Sequence, residues 1–135
     1  MGARRKARKR ALDFLYEADI RGLTATEIYE PRGESDLSQE QYVKEILAGV
    51  AEHSSRIEEL ISTYAEGWET DRMPALDRNI LRVAIFEILW SPDVDEKIAA
   101  SEAVNLAQEL STENSASYIN GILGRLIVLK PSLAI

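Results

Sequence analysis

Residues 71–90 read DRMPALDRNILRVAIFEILW, and their apolar pattern decides the fold. From Leu76 onward, Ile80, Leu81, Val83, Ala84, Ile85, Phe86, Ile88 and Leu89 leave little polar circumference at helical spacing. A helix apolar on most sides is one covered on most sides, so this segment is expected to be the central helix of a helical domain. Pro74 suits its first turn, because the missing N–H of proline would have no intrahelical acceptor there. Ser91-Pro92-Asp93 ends it near Trp90. Glu87 shares a face with Leu76, Ile80 and Val83, and a carboxylate there needs a partner: an arginine or a backbone donor inside the bundle.

The remaining helices are read outward from this one. Ala3 to Arg21 contains neither Gly nor Pro, and Ala7, Ala11, Phe14 and Ala18, with Leu15, form one face ahead of Gly22. Residues 22–37 are a polar connector holding Pro31 and Gly33, within which Thr24 and Glu27 can cap one short turn. Ser38 with Gln41 makes a capping box for a helix burying Val43, Ile46, Leu47 and Val50. His53 falls at the next junction as a cap or surface residue. Ser55 with Glu58 starts a helix burying Ile57, Leu60, Ile61 and Tyr64. After the central helix, one from about Asp95 to Leu110 turns Ala99, Ala103, Leu106 and Leu110 inward and Glu102 and Glu109 outward. The last, capped by Asn114 or Ser115, runs through Tyr118, Ile119, Ile122, Leu123 and Leu126, with Gly121 and Gly124 allowing close backbone approach. No segment sustains the period-two alternation of a strand, so the expected class is all-α.

Charge is unevenly placed. Residues 3–10, ARRKARKR, hold six of the 16 Lys and Arg; outside them ten basic residues face 23 acidic ones. Net charge and a pI near 4.8 therefore do not exclude a nucleic acid ligand for the first helix. Arg5, Lys9, Leu12 and Tyr16, with Arg8 adjacent, form a stripe opposite the apolar face, which wants either an external partner or another part of the fold. Basic side chains on one helical face supply phosphate contacts, and a neighbouring tyrosine supplies a stacking surface for an unpaired base. The competing reading is a solvated tail. A second candidate is a docking edge around Asp71, Arg72, Met73 and Asp77 for a small basic protein, against which Asp77 can simply complement the helix dipole.

The chain has no cysteine and a single His53, which leaves no thiolate or histidine-rich metal site. No Gly-rich phosphate loop, nucleophile elbow or triad spacing is present, so neither enzyme activity nor a cofactor is expected. No run approaches a membrane span, and the expected setting is cytoplasmic.

Three stretches, ARRKARKRALDFLYEAD (3–19), DRMPALDRNILRVAIFEIL (71–89) and AASEAVNLAQELSTENSASYINGILG (99–124), in that order resemble the NusB family of bacterial transcription antitermination factors. The resemblance covers nearly the whole chain. It implies two three-helix bundles sharing an interface, residues 1–66 and 67–135, with the arginine-rich helix first. It also implies boxA-type single-stranded RNA as ligand, the ribosomal small-subunit protein NusE as partner, and action within an RNA polymerase antitermination complex on ribosomal RNA operons. Carried onto this chain, the RNA-binding positions are Arg4, Arg5, Lys6, Arg8, Lys9 and Tyr16, joined by Asn114 and Tyr118 in the stretch 114–120. The NusE contacts are Asp71, Arg72, Met73 and Asp77. Asn114 stands where the family pattern often has aspartate, so one RNA-repelling charge is absent. The alternatives are a stand-alone NusB-like module for ribosomal RNA recognition, and a helical protein–protein adaptor that touches no nucleic acid, in which Leu12 and Tyr16 form a homodimer patch.

Overall fold

The computed structural model describes residues 2–29, 37–65 and 73–133, and every regular element among them is helical. In chain order these are α1 (Gly2–Arg21), α2 (Ala25–Ile28), α3 (Leu37–Glu52), α4 (Ser54–Tyr64), α5 (Ala75–Trp90), α6 (Glu96–Leu110) and α7 (Glu113–Leu129), closed by a 3-10 turn, Lys130–Ser132. The central helix is α5, as its composition requires: it packs against α1, α3, α4, α6 and α7. The other principal contacts are α1 on α3 and α6 on α7.

Local chemistry sets the ends. Gly22 takes φ +68, a left-handed conformation that suits glycine, and Leu23 N–H donates to the Ala18 carbonyl at 3.0 Å to close α1. Thr24 and Glu27 form the expected capping box around α2. Pro74 sits at the N-cap of α5, one position before the first turn. Asp95 caps α6 by accepting from the Lys97 and Ile98 N–H groups at 2.8 and 3.3 Å. α3 begins at Leu37, one residue before the anticipated cap, Ser38, whose side chain lies outside the described residues.

Three expectations are corrected here. The cap of α7 is Thr112, whose hydroxyl accepts the Ser115 N–H at 3.0 Å, so Asn114 and Ser115 belong to the first turn. Gly121 and Gly124 face open space, and a Cβ at either would meet nothing within 4 Å. The glycine that does permit close approach is Gly49, where a Cβ would overlap the Phe86 ring and so separate α3 from α5. Finally, Leu12 is buried rather than exposed, which removes half of the homodimer patch read from the sequence. At 100° per residue the buried arc of α1 runs from Phe14 round to Leu12, about 160°, wider than the stripe through Ala7, Ala11, Phe14 and Ala18.

His53 occupies the N-cap position of α4, with its ring stacked on Trp90 at 3.9 Å and 5°. The stack ties the α3–α4 junction to the end of α5. No helix among the described residues is long and apolar enough to cross a membrane.

Candidate nucleic-acid interface

The basic run folds as the first turns of α1, and most of its cations are held by carboxylates of the same chain. Arg4 Nη2 reaches Asp93 Oδ2 at 3.2 Å and Nη1 the Asp93 carbonyl at 3.3 Å, with the guanidinium 5.1 Å from the Tyr42 ring centre. Arg5 makes a two-pronged pair with Glu102: Nε donates to Oε1 at 2.9 Å and Nη2 to Oε2 at 2.8 Å. Lys9 Nζ donates to Glu109 Oε1 at 2.9 Å, and Arg10 pairs with Glu40. Lys6 is exposed and has no ionic partner among the described residues.

Arg8 differs from the rest. It is 5% exposed, its Nε donates to both oxygens of Glu87 at 2.8 and 2.9 Å, and its Nη1 approaches Glu102 at 3.4 Å. Burial opposes the charge on this guanidinium, but the hydrogen bonds and charge of Glu87 outweigh it and raise its pKa. Tyr42 hydrogen-bonds the same carboxylate, and burial together with the Glu87 charge pushes its hydroxyl pKa well up. Glu87 thus has the internal arginine partner its position demanded. Sequence alone did not identify Arg8 as that partner.

Glu102 serves two cations. The hydrogen bond from Arg5 is the main reason its carboxyl lies below the ordinary carboxylate value, so the pair is intact at neutral pH. Beside it is an open groove of about 520 Å³ lined by Arg4, Arg5, Arg8, Asp93, Ile98 and Glu102 among others. Tyr16 is 41% exposed on α1. Asn114 is exposed and Tyr118 half-buried, one helical turn apart at the start of α7.

Asp71 and Arg72 of the anticipated docking edge lie outside the described residues. Met73 and Asp77 are placed differently from an exposed edge: both are buried in the free chain. Asp77 is in the first turn of α5, is 0% exposed, and accepts from the Ser115 hydroxyl at 2.8 Å. The carboxylate therefore ties the start of α5 to the start of α7, the segment carrying Asn114 and Tyr118. Its second oxygen has no hydrogen-bond partner, so the Ser115 contact is the one that offsets its desolvation. Ser115→Ala is expected to lower stability by about 1–3 kcal/mol in denaturant unfolding. An unchanged midpoint would show that Asp77 does not depend on this hydroxyl.

The arrangement presents exposed cations along α1, the property that contact with an anionic polymer requires. Among the described residues no group of three or more His, Cys, Asp or Glu is placed to hold a metal ion.

Comparison with known proteins gives a consistent picture. The sequence model of the NusB family matches residues 5–127. The transcription antitermination protein NusB of Thermobifida fusca (strain YX) is 45% identical over 135 residues, covering 99% of this chain and 95% of that protein. The structure of T. maritima NusB superposes with a TM-score of 0.83 at 32% identity, over 93% of this chain and 90% of that one. A chain from a crystal structure of antitermination factors NusB and NusE with dsRNA has a TM-score of 0.83 over 95% of this chain and 98% of its own, and at 23% identity that likeness concerns the fold.

Proposed function

The chain belongs to the NusB family, and from that premise we propose that it is a non-catalytic, cytoplasmic transcription antitermination factor. It binds boxA-type single-stranded RNA of ribosomal RNA operon leaders together with NusE and helps keep RNA polymerase elongating. The observation that carries the reading is the clustering of Arg4, Arg5, Lys6 and Lys9 with exposed side chains on the first turns of a folded α1, beside an open groove.

Within this function Arg4, Arg5, Lys6 and Lys9 contact phosphate, and Tyr16 and Tyr118 present aromatic faces to unpaired bases. Arg8 acts from behind by fixing α1 to α5. Asn114 lies on the RNA side of α7. NusE contacts Asp71 and Arg72, while Met73 and Asp77, buried in the free chain, contribute through the fold. The chain divides into bundles 1–66 and 67–135, with α5 lending its packing to both.

The test is a gel shift with a boxA-type strand and a scrambled strand, with and without NusE, at two salt concentrations. The proposal expects salt-sensitive binding, a preference for the boxA-type strand, and tighter binding with NusE. No binding to either strand in any arm would refute it. Asn114→Asp places a charge beside the RNA and is expected to weaken binding roughly two- to fivefold at 0.1 M salt; equal affinities at matched salt would remove Asn114 from the interface.

The adaptor reading, in which α1 touches no nucleic acid, draws on one observation: most cations of α1 already have carboxylate partners. It expects no RNA binding and, where the chain self-associates, a dimer by size exclusion.

A further inference from the structure

Apart from Lys6, the cations of α1 between residues 4 and 9 are matched by acids of the same chain. Asp93 takes Arg4, Glu102 takes Arg5 and touches Arg8, Glu109 takes Lys9, and Glu87 holds Arg8 from the core. Four of the five cations between Arg4 and Lys9 thus meet four carboxylates, Lys6 being the exception. Three of the four come from α6 or the turn before it, in the same order as their partners along α1. The two oxygens of Glu102 meet the Nε–Nη2 edge of Arg5 as phosphate oxygens would.

Resting on the RNA-binding reading above, we propose that Glu102 and Glu109 are internal competitors for the RNA phosphates, which must be displaced from Arg5 and Lys9 before the chain can grip a strand. Both cations and Glu109 are open to solvent, whereas Glu102 is 12% exposed, so the Lys9–Glu109 pair is the easier of the two to open. The side chain of Arg5 is 58% exposed and those of Lys9 and Glu109 47% and 58%. Pairs of this kind contribute only about 0–1 kcal/mol each, so a polyanion can open them. Opening has an electrostatic consequence all the same. A phosphate that replaces a carboxylate gains little net attraction, whereas one that meets an uncompensated cation gains the full counterion-release term. Arg8 and Glu87 stay outside the exchange, being 6% and 1% exposed at their side chains. The two acids therefore hold down the affinity of the bare chain for any RNA, and strong binding needs further contacts, from bases or from a partner protein.

The salt dependence separates competition from a merely structural role. In the native chain, added salt weakens both the internal pairs and the RNA contacts, and the two effects partly cancel. Without the carboxylates the full slope of about −0.7 per phosphate contact emerges.

The experiment compares the native chain with Glu102→Gln, Glu109→Gln and the double variant, titrated with a boxA-type strand and a scrambled strand between 0.05 and about 0.3 M salt. The double variant is expected to bind both strands about 5- to 20-fold more tightly at 0.1 M salt, with a steeper slope. Thermal unfolding runs alongside because the Glu102 side chain is mostly buried. The pair Asp93→Asn with Glu109→Gln poses the same question from exposed positions, and its expected gain is about fivefold. Unchanged affinity and slope in the folded variants would overturn the proposal while leaving native RNA binding, and so the RNA reading, in place. Weaker binding in folded Glu102→Gln would also overturn it, by making Glu102 a support for Arg5. Failure of the native chain to bind any strand, with or without NusE, would overturn both.

Discussion

Arg8→Ala is expected to destabilise the fold by about 3–5 kcal/mol, the range for removing one partner of a buried ion pair. The loss does not come from the arginine's own contacts alone. Glu87 sits in the middle of α5, 1% exposed, and Arg8 Nε donates to both its oxygens. Without Arg8 the carboxylate keeps the Tyr42 hydroxyl as its hydrogen-bond donor but has no compensating cation. Replacing both residues, as Arg8→Leu with Glu87→Leu, should recover much of the loss, because apolar packing in place of a buried pair is often neutral. Urea unfolding of the singles and the double reads the difference as a coupling energy. Arg8→Ala within about 1 kcal/mol of the native chain would show that the cation is not needed to hold α1 on α5. A consequence for RNA follows. Weak RNA binding by an Arg8 variant reports a lost phosphate contact only where the variant is shown to be folded.

The second large effect concerns binding. The triple variant Arg5→Ala, Lys6→Ala, Lys9→Ala is expected to bind RNA about 5- to 100-fold more weakly at 0.1 M salt, with the slope of log affinity on log salt reduced by about 0.7 to 2, the lower figures applying where Glu102 and Glu109 compete for Arg5 and Lys9. Each single-strand phosphate contact contributes about −0.7 to that slope, which across one decade from 1 M is roughly fivefold per contact. All three side chains are exposed, the Lys9–Glu109 pair is solvent-facing, and Glu102, 12% exposed, keeps Arg8 beside it when Arg5 is lost, so the fold should be largely retained. Unaltered affinity and slope would place the RNA site elsewhere.

These two variants mark the boundary between what the sequence makes legible and what it does not. The all-α class and the central position of α5 follow from periodicity and from the scarcity of polar residues between Ile80 and Leu89, where Arg82 and Glu87 alone interrupt the apolar run, both local properties. The need of Glu87 for a partner was equally legible, since a carboxylate on an apolar face states it. The partner was not: Arg8 lies 79 positions away in a run where six cations look equivalent, and only packing of α1 on α5 selects one of them. Leu12 was misplaced for a related reason. A stripe defined by Arg5, Lys9 and Tyr16 is a solvent face when α1 has neighbours on one side, but α3 and α5 together cover a wide arc and Leu12 falls at its edge. Asp77 carries the usual signature of an exposed dipole complement at a helix start. What encloses it is the Ser115 hydroxyl of α7, 38 residues on, a contact no local pattern encodes. Of the two acids read as the outward face of α6, Glu109 is exposed, whereas Glu102 is largely covered by Arg5 and Arg8. That this outward face meets the basic helix is a property of the tertiary arrangement.

The central claim, that the exposed cations of α1 and the start of α7 form one RNA surface, is tested most directly by mapping the surface residue by residue. Backbone amide shifts followed by NMR during titration with a boxA-type single strand at low salt would do so. Shifts are expected to concentrate at Arg4, Arg5, Lys6, Lys9 and Tyr16, with a second group at Asn114 and Tyr118 and accompanying changes at Glu102 and Glu109. Shifts confined elsewhere, such as around the exposed Val128 near the end of α7, with α1 silent, would contradict it.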